Sequence, residues 1–157
     1  MPLTIKIEDS TIQNHLHQLQ VKMSDLSPVM DSIGYALEQS VRRRFETRTD
    51  PSGQKWAAWK PSTEKSYPRA GSKASRTQGV GRGKILERYG SMFNGASYSH
   101  DHNSVSIGFD QPYATYHEWG TKKMDRRGLL TATPQTGMLG SADQQAVLDI
   151  VANYMQS

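Results

Sequence analysis

The segment VSIGFDQPYATYHEWG, residues 105–120, contains several local structural signals and organises the prediction for the rest of the chain. Val105, Ile107 and Phe109 alternate with small or polar residues, and this period of two predicts a half-buried strand. Pro112 ends the strand, because proline cannot donate a hydrogen bond to a sheet and restricts the residue before it. The sequence therefore predicts a strand followed at once by a turn.

After the proline, ring-bearing side chains recur at helical spacing, and Gly120 is placed to end the helical turn. A folded domain usually surrounds such a segment with its core, so we expect packing to explain these side chains. We assign a structural platform to five residues: Trp56, Tyr113, Tyr116, His117 and Trp119.

Three helices are predicted from apolar residues that recur every three or four positions. The longest is expected over about 27–47, where Ser27 and Pro28 resemble a helix start. A shorter helix follows Ser10 and a terminal helix follows Ser141, each with a glutamine three residues later as in a capping box. The predicted apolar face of the terminal helix consists of Val147, Leu148, Val151, Tyr154 and Met155.

Alternating residues at 3–7 predict a first strand, and residues 96–99 are predicted to pair with 105–109 across a polar turn. The order strand, two helices, loop, two strands and helix indicates an α+β fold. In this fold a small antiparallel sheet packs on the long helix, and a C-terminal helix completes a single domain over 1–157.

The composition excludes several functional classes. A chain of 157 residues with 35 % hydrophobic and 22 % charged residues is compatible with one soluble globular domain. The absence of cysteine excludes disulfides, thiolate catalysis and cysteine-ligated zinc. No apolar run is long enough to cross a bilayer, and the first residues lack the apolar centre of a signal peptide. We expect a protein made in the cytosol, without a membrane partner.

Positive charge is concentrated between Lys60 and Arg88. This segment contains eight basic and two acidic residues, a net charge of +6, against +4 for the whole chain. Its centre, residues 67–84, has few apolar side chains, which predicts a long mobile basic loop at about 60–88. The candidate interaction surface consists of basic residues in and around this loop: Arg42, Arg43, Arg69, Lys73, Arg76, Arg82, Lys84, Lys122, Lys123, Arg126 and Arg127.

Patterns typical of active sites are incomplete in this chain. His100 and His102 are interpreted as a polar hairpin tip, because a lone pair of this kind is weak evidence for a metal. His117 has no second histidine four residues later. The glycine-rich segment 79–84 has no strand before it, and Ile85 follows where a phosphate loop needs Ser or Thr. We predict no catalytic, cofactor-binding or metal-binding residue, and hence no enzyme.

Two uses of the basic loop remain open. Its Lys and Arg side chains can neutralise phosphates while Trp56, Trp59 or Tyr67 stacks on bases, which describes a non-specific nucleic-acid-binding module. Alternatively, the loop orders against a neighbouring protein. Binding that weakens steeply with salt distinguishes the first use.

Short motifs run through the chain in a fixed order. They are Arg44-Phe45, DPSGQKW at 50–56, Ile85-Leu86, GSM at 90–92, VSIG at 105–108, Tyr113-Ala114, His117 and Gly120. In this order and spacing, over about 3–155, the chain resembles the phage virion morphogenesis family, the tail-completion proteins of Mu-like and related contractile-tailed phages.

The resemblance implies a structural protein, without catalytic activity or cofactor, that completes the head-proximal end of the tail or the neck for head-tail joining. It implies a homo-oligomeric ring whose partners are the tail tube or terminator and neck or head-completion proteins. Such a protein is assembled in the bacterial host cytoplasm and becomes a virion component. We expect the loop at 60–88 to reach a neighbouring subunit or to line the channel, where it could contact DNA.

Overall fold

A computed structural model describes residues 10–66, 85–86 and 91–157. These residues form, in chain order, α1 (Ser10–Ser24), α2 (Ser27–Thr47), α3 (Pro61–Ser66), α4 (Ser91–Asn94), β1 (Ala96–His100), β2 (Val105–Phe109), α5 (Ala114–Trp119) and α6 (Ser141–Gln156). The predicted α+β fold is confirmed, with an antiparallel sheet packed on α2. The predicted first strand at 3–7 lies outside the described residues.

The long helix α2 buries one apolar face. Val29, Ile33, Leu37, Val41 and Phe45 are buried and follow one another at intervals of four residues. Residues at this spacing lie above one another on a helix, so they form a continuous stripe. The remaining elements pack along that stripe.

Local hydrogen bonds fix both ends of α2. Asp25 Oδ1 accepts a hydrogen bond from the Ser27 N–H at 2.9 Å, which satisfies one of the free donors in the first turn. At the other end Arg48 is left-handed, with φ 57°, and the Thr49 N–H donates to the Arg44 carbonyl at 3.3 Å. The predicted helix range of 27–47 is confirmed.

The strands β1 and β2 form the predicted hairpin. Ala96 lies opposite Phe109, and His100 lies opposite Val105. Asp101 Oδ1 accepts two backbone hydrogen bonds, at 2.9 and 2.7 Å, which close the polar turn between the strands.

Close contact between the hairpin and α2 depends on Gly34. A Cβ atom at Gly34 would overlap the ring of Tyr98, so the glycine lets that ring lie directly on the helix. The Tyr98 hydroxyl then donates a hydrogen bond to Asp31 Oδ1 at 2.8 Å. His100 Nε2 lies 3.5 Å from the same carboxylate oxygen, so this histidine packs at the hairpin tip as the sequence suggested.

The C-terminal helix α6 runs antiparallel to α2. Asp143, in its first turn, pairs with Arg44 near the end of α2. Tyr154, in its last turn, donates from its hydroxyl to the carbonyl of Lys22 in α1 at 3.0 Å, just before the start of α2. These contacts hold α6 along the length of the long helix.

The face that α6 turns toward α2 differs from the predicted one. Val147, Ile150 and Tyr154 pack against the buried cluster at the start of α2. Three members of the predicted apolar face are exposed instead: Leu148, Val151 and Met155. The prediction was wrong for these three, because α6 carries more apolar residues than one packed face can hold.

Phe45 is the centre of the larger core cluster. Its ring lies 5.5 Å from that of Trp56 and 5.6 Å from that of Phe93, both edge-on. Phe45, Val41 and Leu129 are fully buried. Burial of side chains of this size contributes about 1.5–3 kcal/mol each.

The region assigned to a basic loop begins with a helix. Pro61–Ser66 forms α3, so a loop beginning at residue 60 was wrong for these residues. Proline is tolerated at the first position of a helix, where its missing N–H has no partner to lose. Residues 67–84, the centre of the predicted loop, lie outside the described part of the chain.

Candidate assembly surface

The short helix α5 is held between two turns. The Ala114 N–H donates to the Gln111 carbonyl at 3.1 Å, immediately after β2. Gly120 ends the helix with φ 73°, and its N–H donates to the Tyr116 carbonyl at 2.8 Å. A Cβ atom at Gly120 would lie only 3.1 Å from the Arg126 nitrogen, so the glycine allows the chain to fold back closely.

The inner face of α5 buries a carboxylate. Glu118 is only 9 % exposed. Its oxygens accept hydrogen bonds from the N–H groups of Leu129 at 2.6 Å, Leu130 at 3.0 Å and Thr131 at 2.9 Å. The Thr131 hydroxyl donates a further hydrogen bond to the same carboxylate. One side chain therefore fixes three consecutive backbone units of the segment that follows α5.

Arg126 completes this arrangement. Its Nε donates to the Glu118 carbonyl at 2.6 Å, and its guanidinium donates to the Thr131 carbonyl at 2.6 Å. The same guanidinium lies 3.4 Å from Glu118 Oε1. Burial alone would raise the pKa of Glu118, but the hydrogen bonds from Thr131, Leu129 and Leu130 outweigh it and hold that pKa below its ordinary value.

Arg127 fixes the same segment from its other side. It is 7 % exposed, and its guanidinium donates to the carbonyls of Ala57 at 2.9 Å and Ala58 at 3.0 Å. Beside it, Trp56 Nε1 donates to the Gly128 carbonyl at 3.0 Å. We call residues 126–131 the clamped connector.

Arg44 joins the clamped connector to both long helices. Its guanidinium donates to the Leu129 carbonyl at 2.6 Å and pairs with the buried Asp143 carboxylate of α6. A buried charge without a partner is costly, so this pair couples α2, α6 and the connector.

These contacts change the interpretation of several predicted surface residues. Arg126 and Arg127 were assigned to the interaction surface, but their side chains turn inward, where backbone carbonyls accept from their guanidinium groups. Arg42 is half-buried, pairs with Glu38 at 2.9 Å and lies 5.4 Å from the Phe93 ring centre. Three predicted residues are exposed as expected: Arg43, Lys122 and Lys123. Five lie outside the described residues: Arg69, Lys73, Arg76, Arg82 and Lys84.

His117 is half-buried beside the clamped connector. Its carbonyl accepts a hydrogen bond from the Arg127 N–H at 2.9 Å. Its Nδ1 atom is buried, with no hydrogen-bond partner among the described residues. Burial, and then the charge of Arg127, lower the pKa of His117 below its ordinary value, which favours the neutral imidazole.

The outer face of α5 carries exposed aromatic side chains. Tyr116 is 59 % and Trp119 is 51 % exposed, and Tyr113 is exposed as well. Packing was expected to explain these rings, and for these three that expectation was wrong, because Ala114 and Glu118 occupy the buried face. Tyr and Trp are enriched in the most important contacts of protein interfaces. We call Tyr113, Tyr116 and Trp119 the aromatic patch.

A groove and a basic turn flank the aromatic patch. The groove has a volume of about 280 Å³, and Trp119, Pro112 and Leu130 contribute to its walls. Small-molecule sites usually measure roughly 300–1,000 Å³, so this groove is at the small end of that range and is also large enough for a partner's side chain. On the other side, the N–H of Thr121 donates to the Met124 carbonyl at 2.9 Å, forming a tight turn with Lys122 and Lys123 at its tip.

The described residues provide neither a metal cluster nor a membrane-spanning helix. Within 10–66, 85–86 and 91–157, no three His, Asp or Glu side chains are grouped so that they could hold a metal ion. Each helix in this part of the chain is too short or too polar to span a membrane.

The fold and this surface define an α+β domain in which a clamped connector supports exposed aromatic side chains. The chain belongs to the phage virion morphogenesis family, whose sequence model matches residues 7–156. It is therefore a phage protein with a role in virion assembly, and its family is a structural one that is not known for enzymatic activity. Comparison with curated proteins and with solved structures gives no significant match.

Sequence reasoning missed Glu118, Arg44 and Asp143 as organising residues. The hydrogen-bond partners of Glu118 are backbone N–H groups 11 to 13 residues further along the chain, which no local pattern indicates. The available signal was the turn residue Gly120 followed by Arg126, which together bring the connector back to α5.

Proposed function

We propose that the protein completes the head-proximal end of the tail or the neck for head-tail joining, and that it does so as a ring of identical subunits. Its partners are the tail tube or terminator on one side and neck or head-completion proteins on the other. It is a virion component that assembles in the host cytoplasm. The observation that carries this proposal is that the aromatic patch is exposed while the opposite face of α5 is hydrogen-bonded to the clamped connector.

The physical case rests on preorganisation. An interface gains affinity when its contact residues are already held in place, because less conformational entropy is lost on binding. Glu118 fixes α5 to the connector through hydrogen bonds at 2.6 to 3.0 Å. The aromatic patch therefore stands on an immobilised support, as a repeated contact in a ring requires.

Complementation of tails tests this function. Tails from a lysate made without this protein are mixed with the purified chain and with heads, and joined particles are counted by electron microscopy. We expect the wild-type chain to bind tails and restore joining. A folded Tyr113→Ser/Tyr116→Ser/Trp119→Ser variant should fail. A wild-type chain that never associates with tails or heads would overturn the proposal.

A second use, non-specific binding of nucleic acid, is supported by Lys122 and Lys123 beside the exposed Trp119. Cations next to an aromatic ring suit backbone contacts with base stacking. Anisotropy of labelled DNA between roughly 50 and 200 mM salt tests it, because phosphate contacts weaken steeply over that range. Loss of DNA binding in the Lys122→Glu/Lys123→Glu variant would support this second use. If the wild-type chain does not bind DNA even at low salt, the second use is ruled out.

A further inference from the structure

The helix α6 leaves an apolar stripe exposed on the side away from α2. Leu148 is 61 % exposed, and Val151 and Met155 are also exposed. Their spacing places them on one helix face, whereas Val147 and Ile150 lie on the packed face. We call Leu148, Val151 and Met155 the outer stripe. Exposed apolar groups arranged in this way are typical of a surface that another protein covers.

We propose that the aromatic patch of one subunit binds the outer stripe of the next subunit, as the contact repeated around the ring. This inference rests on the proposed ring and names the two surfaces that form it. The contact is heterologous, because one face of the chain meets a different face of its neighbour.

The position of the two surfaces permits this contact. The aromatic patch lies beside the core cluster that contains Phe45, near the end of α2. The outer stripe extends toward the last turn of α6, where Tyr154 reaches Lys22, before the start of α2. The long helix has 21 residues, which is roughly 31 Å at 1.5 Å per residue. The surfaces are therefore separate, and each subunit can use both at once.

Their charges are complementary. Lys122 and Lys123 are exposed directly after the aromatic patch. The helix α6 contains Asp143, which is buried, and Asp149, which is exposed, with no lysine or arginine. Asp125 is exposed in the same turn, so the surface after the aromatic patch keeps one net positive charge, whereas the exposed part of α6 carries the single negative charge of Asp149. This difference in sign favours the encounter of the two surfaces.

The same charges disfavour contact between identical surfaces. Two aromatic patches facing each other would bring two copies of Lys122 and Lys123 together, and two outer stripes would bring together two copies of Asp149. Juxtaposed like charges oppose association. The side chains also suit a mixed contact, because Met155 can lie against Tyr116 or Trp119, and sulfur–aromatic contacts are favourable.

Engineered cysteines test this pairing cleanly, because the chain contains no cysteine of its own. Tyr116→Cys and Val151→Cys are made separately and together in the full chain and oxidised under mild conditions. A mixture of the two single variants, Tyr116→Cys and Val151→Cys, should give a cross-linked dimer. The double variant should give a ladder of dimer, trimer and higher species. Dimerisation of Val151→Cys alone would overturn the inference in favour of a symmetric contact.

Solution mass gives an independent readout. Val151→Asp should reduce the oligomer to a monomer at concentrations where the wild-type chain assembles. The control Asn153→Asp is an exposed substitution of the same charge on the same helix, outside the outer stripe, and should leave the mass unchanged. Lys122→Glu/Lys123→Glu should weaken assembly, and Asp149→Lys added to it should restore part of the loss.

The outcomes separate this inference from the proposed function. Wild-type mass in Val151→Asp, or no cross-link in either cysteine experiment, overturns the inferred contact. If the wild-type chain completes tails although the inferred contact has failed these tests, the proposed function stands and another surface forms the ring. If the wild-type chain never completes tails, the proposed function fails whatever contact its subunits make.

Discussion

The helices α2 and α5 bury opposite kinds of side chain. The long helix α2 turns aliphatic residues and Phe45 inward, as its periodicity predicts. The short helix α5 turns Glu118 inward and leaves Tyr116 and Trp119 exposed. The helix α2 spans the predicted range and α5 ends at the predicted Gly120. Local signals therefore set these helix boundaries, whereas the surroundings decide which face is buried.

The physical reason lies in what each helix packs against. The apolar stripe of α2 meets apolar residues from the hairpin and α6, so hydrophobic burial decides its orientation. The inner face of α5 meets backbone N–H groups of the connector, which must be satisfied because an unpaired buried donor costs about 1–3 kcal/mol. The carboxylate of Glu118 satisfies three of them and so takes the buried position.

The largest predicted effect concerns the buried pair that joins the two regions. Arg44→Met should cost about 3–5 kcal/mol of unfolding free energy, because it leaves the Asp143 carboxylate buried without its partner. Urea unfolding followed by tryptophan fluorescence measures it. Adding Asp143→Leu should recover most of the loss. The control Arg43→Met, exposed on the same helix, should change stability by less than about 0.5 kcal/mol. Equal costs for Arg44→Met and Arg43→Met would contradict the coupling.

Much of the fold was predictable, because it rests on local patterns. The hairpin, its proline stop, the 27–47 range of α2 and the glycine end of α5 depend on residues close together in sequence. The buried polar contacts were not predictable in this way. Arg44 and Asp143 are 99 positions apart, and nothing in either local sequence indicates the other.

The position of the candidate site in the sequence was predicted correctly, but the prediction of which way its aromatic side chains point was wrong. The sequence singled out Tyr113, Tyr116 and Trp119, and the structure exposes them. Helical spacing groups side chains on a face without saying whether that face is inside or outside. The surface prediction was wrong for Arg126 and Arg127, because their guanidinium groups donate to backbone carbonyls within the fold.

A smaller effect is expected at the buried carboxylate itself. Glu118→Gln keeps one acceptor oxygen but turns amide protons toward backbone donors, which should cost about 1–3 kcal/mol. Glu46→Gln on the exposed side of α2 is the matched control, with little change expected. The difference between the two variants is measured by thermal or urea unfolding. A Glu118→Gln chain as stable as the control would mean that the carboxylate does not fix the connector.

Acidification should lower the unfolding free energy of the chain in two steps. Burial beside Arg127 lowers the pKa of His117 below its ordinary value of 6.5, so the unfolded chain takes up that proton first. Stability should therefore fall as the pH drops below about 6.5, and fall further below about 4.5 as the unfolded chain protonates Glu118. His117→Gln should reduce the fall in unfolding free energy just below pH 6.5, as measured by urea unfolding at a series of pH values. If unfolding free energy falls with pH as steeply in His117→Gln as in the wild-type chain, this account is contradicted.

The smallest effect on stability is expected at the aromatic patch. Tyr116→Ser/Trp119→Ser removes exposed rings from a helix that Glu118 holds from the other side, so each change should alter the unfolding free energy by less than about 0.5 kcal/mol. Urea unfolding measures the cost. The contrast with α2 is sharp, because Phe45→Ala removes a fully buried ring and should cost about 3–5 kcal/mol. A destabilisation near that of Phe45→Ala would show that the patch packs within the subunit, and loss of assembly in a fully stable variant would show that its partner lies outside.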